Sequence, residues 1–339
     1  MRMGSAMLQR YRKRLAKEIL VMEIRRILVL VADPHHDVQP ALARASALAA
    51  DFGAQLHMHT IAYNSALAGR AIKDDDERTR LIQMLVEKRL QALQTLSEPL
   101  CEEGLDYSYS ATWDYPIHES LARTVSDDYD LVVSDTFGRI SNTLPLRVLS
   151  QTDWQLIANC PAPCLVVRTS GSNPYQQVLA AVDPNHSNDR GAALDGALIE
   201  AAKLMSQTFG AGLRILHAYE SIGATVGFPV EPSHPLAEDL VAEMENSVID
   251  LAKQHGLDPG TVCIRKGSPD EEILKTVKEL FVDLLVMGTV ARGRIHEWVV
   301  GSTAEHVIGD LDCDLLALKP AGFKPRLGKA VKQHLLLGG

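Results

Sequence analysis

The sequence lacks any apolar run long enough to cross a membrane, since no run approaches the roughly 18 residues that a span requires. It also lacks an excess of positive charge. The formal net charge is −9, which argues against nucleic acid or an anionic membrane as the main partner. Cysteines are few, and their odd number of five, scattered along 339 residues, favours reduced thiols in a cytoplasmic protein over a disulfide framework.

Catalytic motifs are also missing. The sequence contains no Gly-x-Ser-x-Gly elbow and no His-Glu-x-x-His pair. Residues 288–293 have the glycine spacing of a P-loop, but Arg294 and Ile295 follow where Lys and Ser or Thr are required. Cys160 and Cys164 have no second pair beside them, so packing is favoured over a metal site. The sequence therefore predicts no catalytic residue and no metal site.

Residues 1–22 form a basic segment that precedes the first apolar run. The segment lacks the apolar core and the small-residue cleavage site of a secretory signal. We interpret it as a basic N-terminal tail and expect a cytoplasmic protein.

Short apolar runs alternate with stretches of helical spacing through the first half of the chain. Strands are predicted at residues 27–32, 55–61, 107–112, 131–134 and 164–168. Helices are predicted at residues 41–50, 74–101, 116–126 and 152–159. Alternation of this kind predicts an α/β fold with a parallel sheet and helices on both faces.

The same pattern begins again after a Ser-Gly-Ser-Asn-Pro linker at residues 170–174. Pro116 and Pro269 lie 153 residues apart, and so do Asp130 and Asp283. A nearly constant offset across several elements indicates a duplicated domain. The predicted organisation is a tail at 1–22, domains at 23–169 and 175–320, and a C-terminal tail at 321–339. The two copies are expected to pack as a pseudo-dimer within the chain. This packing would cover the last strand of each copy, which would otherwise be an exposed edge.

The most informative stretch is residues 283–319 of the second copy. An apolar run ends at Gly288, a loop follows, and Gly301-Ser302-Thr303 leads into a helical pattern. A glycine loop between a buried strand and a helix start is a place where backbone N–H groups can bind an anion.

This stretch resembles the universal stress protein family, whose nucleotide-binding members carry Gly-x2-Gly-x9-Gly-Ser/Thr after the fourth strand. Gly288 matches the first glycine and Gly301-Ser302 match the last pair, while Ala291 stands where the second glycine belongs. The two-domain layout looks most like the tandem E-type members. Their fold is a doubly wound, adenine nucleotide alpha hydrolase-like sheet in each domain, with strand order 3-2-1-4-5.

The resemblance implies an adenine nucleotide site, for ATP or AMP, in the second domain. The aspartate after the first strand would contact the adenine or neighbouring groups, a residue ending the second strand would line the base, and the glycine loop would hold the phosphates. The positions that match are Asp183, Ala218, Gly288, Thr289, Val290, Ala291, Arg292, Gly301, Ser302 and Thr303. Arg294 is a further candidate for phosphate.

Simpler explanations exist for the same residues. Ser302 and Glu305 fit a capping box that would satisfy the helix start without a ligand. Asp183-Pro184 fits a turn. If the position of Ala291 requires positive φ or close backbone approach, alanine there costs about 1 kcal/mol, and glycine would raise ATP affinity. His57, His59 and His217 lie in or beside the second strand of each copy, where packing or edge positions are expected.

The first domain departs further from the motif. Asp135 replaces Gly288 and Ser150 replaces Gly301. A carboxylate at the phosphate position repels phosphate, so we expect no nucleotide in the first domain.

The resemblance implies a role in the stress response, exercised by binding a ligand and a partner and not by turnover. A weak ATPase in the second-domain crevice is one alternative, and a carrier of an apolar or nucleotide-containing metabolite, with residues 222–230 lining its pocket, is another. Partners in the form of nucleic acid or membrane are not expected, and further homo-oligomerisation stays open.

Overall fold

The computed structural model describes residues 23–69, 72–136, 149–169, 173–184, 191–220, 235–292 and 298–337. The predicted tail at 1–22, the linker residues 170–172, the apolar segment at 222–230 and Arg294 lie outside the described residues. Contacts divide the described chain into two units, residues 23–173 with 324–337 and residues 174–323.

The first unit alternates strands and helices as its apolar pattern predicts. Its strands are β1 (Arg26–Leu30), β2 (Gln55–Ala62), β3 (Tyr107–Trp113), β4 (Leu131–Asp135) and β5 (Cys164–Val167). Its helices are α1 (Pro40–Phe52), the short α2 (Ser65–Ala68), α3 (Asp75–Glu102), α4 (Pro116–Ser126) and α5 (Gln151–Asn159).

The second unit repeats this order. Its strands are β6 (Gln177–Ala181), β7 (Gly212–Tyr219), β8 (Val262–Lys266), β9 (Leu284–Gly288), β10 (Val290–Arg292), β11 (Trp298–Val300) and β12 (Asp314–Leu318). Its helices are α6 (Gly191–Phe209), α7 (Pro235–Gln254), α8 (Pro269–Glu279) and α9 (Ser302–Asp310), and a 3-10 turn spans Pro259–Thr261. A last helix, α10 (Lys329–Leu337), follows the second unit in sequence and packs on α4 of the first.

Each unit contains a parallel five-stranded sheet with the order of a doubly wound fold. The order is β3-β2-β1-β4-β5 in the first unit, and the second follows the same plan as β8-β7-β6-β9-β12. All ladders within the units are parallel. The central strands are buried on both faces, which explains why they are continuous apolar runs in the sequence. The predicted fold class of two tandem doubly wound sheets is confirmed, while the arrangement of the two copies as a pseudo-dimer stays a prediction.

The repeat extends to individual hydrogen bonds. Asp130 accepts two bonds of 3.0 Å from consecutive N–H groups at the start of β1, and Asp283 accepts bonds of 2.7 and 2.9 Å at the start of β6. Each carboxylate satisfies strand-end donors that have no ladder partner. The offset found in the sequence therefore corresponds to one structural device used twice.

None of the described helices is both long enough and apolar enough to cross a bilayer.

Candidate functional site

The carboxyl ends of β6 and β9 lie side by side, because the two strands are parallel neighbours. Since β6 also pairs with β7 on its other side, the connections that leave β6 and β9 diverge here. Such a switch point is where open α/β sheets bind ligands. Asp183 comes two residues after β6 and Gly288 ends β9, so the two predicted site residues border the same crevice.

Asp183 is held by its backbone and leaves its carboxylate at the rim. Its N–H donates to Asp195 Oδ1 at 3.0 Å, and its side chain is 51% exposed. The carboxylate Oδ1 lies 4.0 Å from Nδ1 of His217. An anchored backbone with an exposed carboxylate suits an acceptor for hydroxyl or amino groups of a ligand.

His217 belongs to the same corner, although its sequence context predicts only a packing or edge position. It is buried near the end of β7, and its Nδ1 lies 3.1 Å from the carbonyl oxygen of Val182. Because a carbonyl only accepts, Nδ1 carries the proton in this contact. Ala218, the candidate for the base-lining position, is the next residue of β7 and is half-buried. The adjacency of His217 to the end of strand two was the signal that could have identified it.

Gly288 has a packing reason of its own. A Cβ atom at this position would lie 2.8 Å from Cδ2 of Leu194 on α6. The glycine therefore lets the start of α6 approach the end of β9, which is a role that needs no ligand.

Two short paired strands follow Gly288, where the sequence predicts a loop. Val290, Ala291 and Arg292 make β10, which pairs antiparallel with β11, and Ala291 lies opposite Val299. Phe281 is the one non-glycine residue with positive φ among those described, so Ala291 has an ordinary extended backbone. The hypothesis that Ala291 occupies a positive-φ position is therefore wrong for this conformation.

Thr289 and Lys319 connect the ends of β9 and β12. Thr289 is fully buried, and its hydroxyl accepts a hydrogen bond from the Lys319 ammonium. The carbonyl of Thr289 accepts the N–H of Gly301 at 3.2 Å. The Lys319 ammonium also lies 5.8 Å from the ring centre of Phe323. A half-buried cation thus lies at the strand ends beside the start of α9, and sequence reasoning did not identify it.

Helix α9 begins without a side-chain cap. Gly301 is the N-cap residue, and Ser302 and Thr303 are the first two helical residues. The N–H of Glu305 bonds back to Gly301 O at 2.9 Å, so the capping box proposed for Ser302 and Glu305 is not formed. Unsatisfied N–H groups and the positive end of the helix dipole favour an anion at such a start.

The equivalent start in the first unit is closed by its own side chains. Ser150 is the N-cap of α5, and its hydroxyl accepts the N–H of Asp153 at 3.2 Å. The Asp153 carboxylate, fully buried, accepts the N–H and hydroxyl of Ser150, both at 2.7 Å. This reciprocal capping box satisfies the helix start and adds a buried carboxylate, so a phosphate is disfavoured there. Asp135, in the place of Gly288, is also buried at the end of β4.

Arg89 fills the first-unit strand ends further. Its guanidinium Nη1 donates to Ala32 O at 3.0 Å and to Thr60 Oγ1 at 3.2 Å. These two residues follow β1 and lie within β2. A cation from α3 therefore occupies the corner that Asp183 and His217 border in the second unit.

In the sequence, the Asp-Pro pair after the first strand of each copy suggests that Asp33 corresponds to Asp183. The structural correspondence is shifted by one residue. Val31 N bonds to His59 O at 2.8 Å, and Val182 N bonds to Leu216 O at 2.9 Å. Val31 thus corresponds to Val182, and Asp183 corresponds to Ala32 and not to Asp33. The Asp33 carboxylate instead accepts the N–H of His35 at 3.1 Å within a turn.

Comparison with known proteins gives a family-level result. The model described as "Universal stress protein family" matches residues 23–168 and 174–319. The chain is 27% identical over 318 residues to the Universal stress protein E homolog of Haemophilus influenzae, covering 88% of this chain and 99% of that protein. It is 25% identical over 301 residues to Universal stress protein E of Escherichia coli K12, covering 88% and 95%.

Solved structures agree on the fold. A crystal structure described as a putative universal stress protein of Pseudomonas aeruginosa UCBPP-PA14 superposes with a TM-score of 0.69 at 24% identity, covering 94% of this chain and 98% of that one. A universal stress protein of Archaeoglobus fulgidus DSM 4304 gives a TM-score of 0.57 at 17% identity, with coverage of 87% and 98%. At these identities the likeness establishes the fold alone.

Proposed function

The chain belongs to the universal stress protein family, and we propose that it serves the stress response by binding an adenine nucleotide, ATP or AMP, in its second unit. The nucleotide acts as a bound signal and is not turned over. The net charge of −9 disfavours nucleic acid or an anionic membrane as the main partner, and five scattered cysteines support a cytoplasmic protein.

The start of α9 carries this proposal. It lies at the switch-point end of the sheet and has a glycine N-cap, whereas its counterpart α5 is closed by the Ser150–Asp153 capping box. Two copies of one fold thus differ at the point where a phosphate would bind. The ammonium of Lys319 adds positive charge near this start.

The remaining contacts divide the nucleotide between the two sides of the crevice. The exposed carboxylate of Asp183 accepts hydrogen bonds from the adenine or ribose, and Ala218 lines the base. The N–H groups and hydroxyls of Ser302 and Thr303 bind the phosphates. Val290, Ala291 and Arg292 of β10 line the phosphate side of the site, and Thr289 holds Lys319 beside it.

A charge-reversal experiment tests the site. Ser302→Glu places a carboxylate at the first position of α9, where it stabilises the helix through the dipole but repels a phosphate. We expect ATP affinity to fall at least about tenfold, equivalent to ~1.4 kcal/mol. The matched control is Gln151→Glu, at the first position of α5, which should leave ATP affinity unchanged. Isothermal titration calorimetry at fixed magnesium and salt measures both variants.

A second pair of variants tests the adenine side of the same site. Asp183→Ala should weaken ATP binding, while Asp33→Ala should not, because Asp33 only closes a turn. Equal ATP affinity in Ser302→Glu and Gln151→Glu, or a loss on changing Asp33, would contradict the proposal. Release of phosphate by the wild-type chain at a rate abolished by Asp183→Ala would favour the weak ATPase instead.

A further inference from the structure

An open surface pocket of about 510 Å³ lies in the first unit, at the carboxyl ends of β2 and β3. Its lining residues come from the ends of β2 and β3, from α2 and from the first turns of α3. They are Tyr63, Leu67, Ala68, Arg78, Ile82, Trp113, Asp114 and Tyr115. A volume in this range suits a small organic ligand, since such pockets measure roughly 300–1,000 Å³.

Aromatic rings dominate one wall of this pocket. The ring centres of Tyr63 and Trp113 are 5.9 Å apart, and those of Tyr63 and Tyr115 are 5.3 Å apart with the rings at 84°. Trp113 and Tyr63 are half-buried, and Tyr115 is 40% exposed. Aromatic residues make up only 5% of the chain, so the three aromatic residues around this pocket are more than its composition would place there on average. Partly exposed rings in this arrangement form a platform for another planar ring.

Two charged side chains complete the lining. Arg78 pairs with Asp75 at 3.1 Å, but the side chains are 36% and 84% exposed, and such surface pairs contribute little. The guanidinium can therefore exchange this partner for an anionic group of a ligand at small cost, and its planar donor fork suits carboxylate or phosphate. Asp114 accepts the N–H of Tyr115, which fixes the turn that carries this aromatic residue.

The second unit serves as an internal control for the role of these rings. Ala62 pairs with Trp113 in the first unit as Tyr219 pairs with Lys266 in the second. Lys266 thus replaces Trp113, and the following Gly267 and Ser268 replace Asp114 and Tyr115. Tyr219 ends β7 in the second unit, but the fold forms these strand ends without rings at the places of Trp113 and Tyr115, so folding alone does not require those two rings.

From this pocket we infer a second binding site, in the first unit, for a planar aromatic or heteroaromatic molecule that carries one carboxylate or phosphate. The rings of Tyr63 and Trp113 stack on the planar part, and Arg78 pairs with the anion. The site is independent of the nucleotide site proposed for the second unit, because its lining residues all belong to the first.

Fluorescence of Trp113 provides the test. The chain has three tryptophans, so Trp154→Phe with Trp298→Phe leaves Trp113 as the only one. Anthranilate, 2-aminobenzamide and phenyl phosphate are titrated as the aromatic carboxylate, its neutral amide and the aromatic phosphate. We expect saturable quenching by at least one of the two anionic probes, and their relative affinities decide between carboxylate and phosphate.

Two arginine variants make the test specific. Arg78→Gln should lower the affinity for the bound anionic probe at least about tenfold. It should change the affinity for 2-aminobenzamide little, since the amide has no charge to pair. Arg80→Gln, on the same helix but outside the lining, is the matched control and should change the affinity for neither probe. Tyr63→Ala should lower the affinity for both probes. Binding should persist in Ser302→Glu, which separates this site from the proposed nucleotide site.

The proposal is overturned if neither anionic probe quenches Trp113 saturably at millimolar concentration. It is also overturned if Arg78→Gln and Arg80→Gln bind the anionic probe equally well, because the pairing with Arg78 would then be absent. Loss of probe binding in Ser302→Glu would move the probe to the second unit and would exclude the first-unit site.

Discussion

The backbone conformation of Ala291 changes how its place in the glycine motif is interpreted. The sequence motif places it at a glycine position, where positive φ would make alanine costly. The structure instead has Ala291 in the extended strand β10, opposite Val299. Alanine adopts the extended conformation of a strand without strain, and glycine there would lower the stability of the hairpin by roughly 0.5–1 kcal/mol.

Ala291→Gly is therefore expected to leave ATP affinity within about threefold of the wild type and to loosen the hairpin. Hydrogen exchange of the amides in β10 and β11 should become faster, while exchange in the central strands β6 and β9 stays the same. Calorimetric titration with ATP supplies the second measurement. A large gain in affinity would mean that the bound loop abandons the strand conformation and requires glycine-like backbone freedom.

The two helix starts that follow the fourth strands differ in what stabilises them. At α5, the Ser150 hydroxyl accepts a backbone N–H, and Asp153 reciprocates. At α9, Gly301 occupies the N-cap position and Ser302 lies inside the helix. Ser150 is thus a cap and Ser302 is not, although both lie at the start of a helix that follows a fourth strand.

Ser150→Ala should lower the free energy of unfolding by about 1 kcal/mol, the usual value of a Ser cap. Ser302→Ala should change it by only a few tenths of a kcal/mol, because serine at the first helical position caps nothing. Urea unfolding of both variants at one pH measures the difference. Equal losses would show that Ser302 acts as a cap in solution and that the start of α9 is closed as well.

Elements with long apolar periodicity could be predicted from the sequence, and local or distant contacts could not. The strands and helices around Asp130, Pro116 and Pro269 follow from buried runs, turn residues and the repeat. The hairpin β10–β11 did not, because three-residue strands are too short for alternation to be visible. Arg89 was also missed, since it reaches Ala32 across 57 residues of sequence, a contact that no local pattern encodes.

At the scale of the whole molecule, the duplication gives two copies of one fold with different side chains at equivalent places. The first unit closes its helix start and fills its strand-end corner with Arg89, and it forms an aromatic pocket at the carboxyl ends of β2 and β3. The second unit leaves the helix start without a side-chain cap and has Lys266, Gly267 and Ser268 where the first unit has Trp113, Asp114 and Tyr115.

The units also differ in buried titratable groups. His57 and His59 are neighbours on one face of β2, and His59 is fully buried, with its Nε2 3.3 Å from Glu119 Oε1. Glu119 also accepts bonds of 3.0 and 2.8 Å from Arg123. In the second unit Leu216 takes the place of His59, as the strand register requires. The first unit therefore carries a polar cluster at a place that is apolar in its copy.

Burial disfavours the charged form of both histidines. Burial, together with the nearby positive charge of Arg123, lowers the pKa of His57 from 6.5 to about 4. Burial also lowers the pKa of His59, although the hydrogen bond with Glu119 opposes this. Burial raises the pKa of Glu119, but hydrogen bonds from His59 and Arg123 outweigh burial and hold this pKa at about 2.

The sign of the pH dependence follows from these directions. Below pH 6.5 the unfolded chain binds protons at His57 that the folded chain does not bind until about pH 4, so stability falls as the pH is lowered through this window. Glu119 adds a second loss between its ordinary pKa of 4.5 and about 2. The urea midpoint of the wild type should therefore decrease from pH 7 to pH 5, before most carboxylates titrate.

His57→Gln tests this account, because glutamine retains hydrogen-bonding capacity for Ser108 and Ser110, the partners of His57 at 2.8 and 2.9 Å, but cannot take up a proton. The variant should lose less stability than the wild type between pH 7 and pH 5, whatever its stability at pH 7. His35→Gln, at an exposed turn of the same unit, is the matched control and should keep the wild-type slope. Urea unfolding at several pH values supplies the slopes. If His57→Gln and the wild type lose stability in parallel, the folded chain binds the proton at His57 as readily as the unfolded chain, and burial of His57 does not govern the acid response.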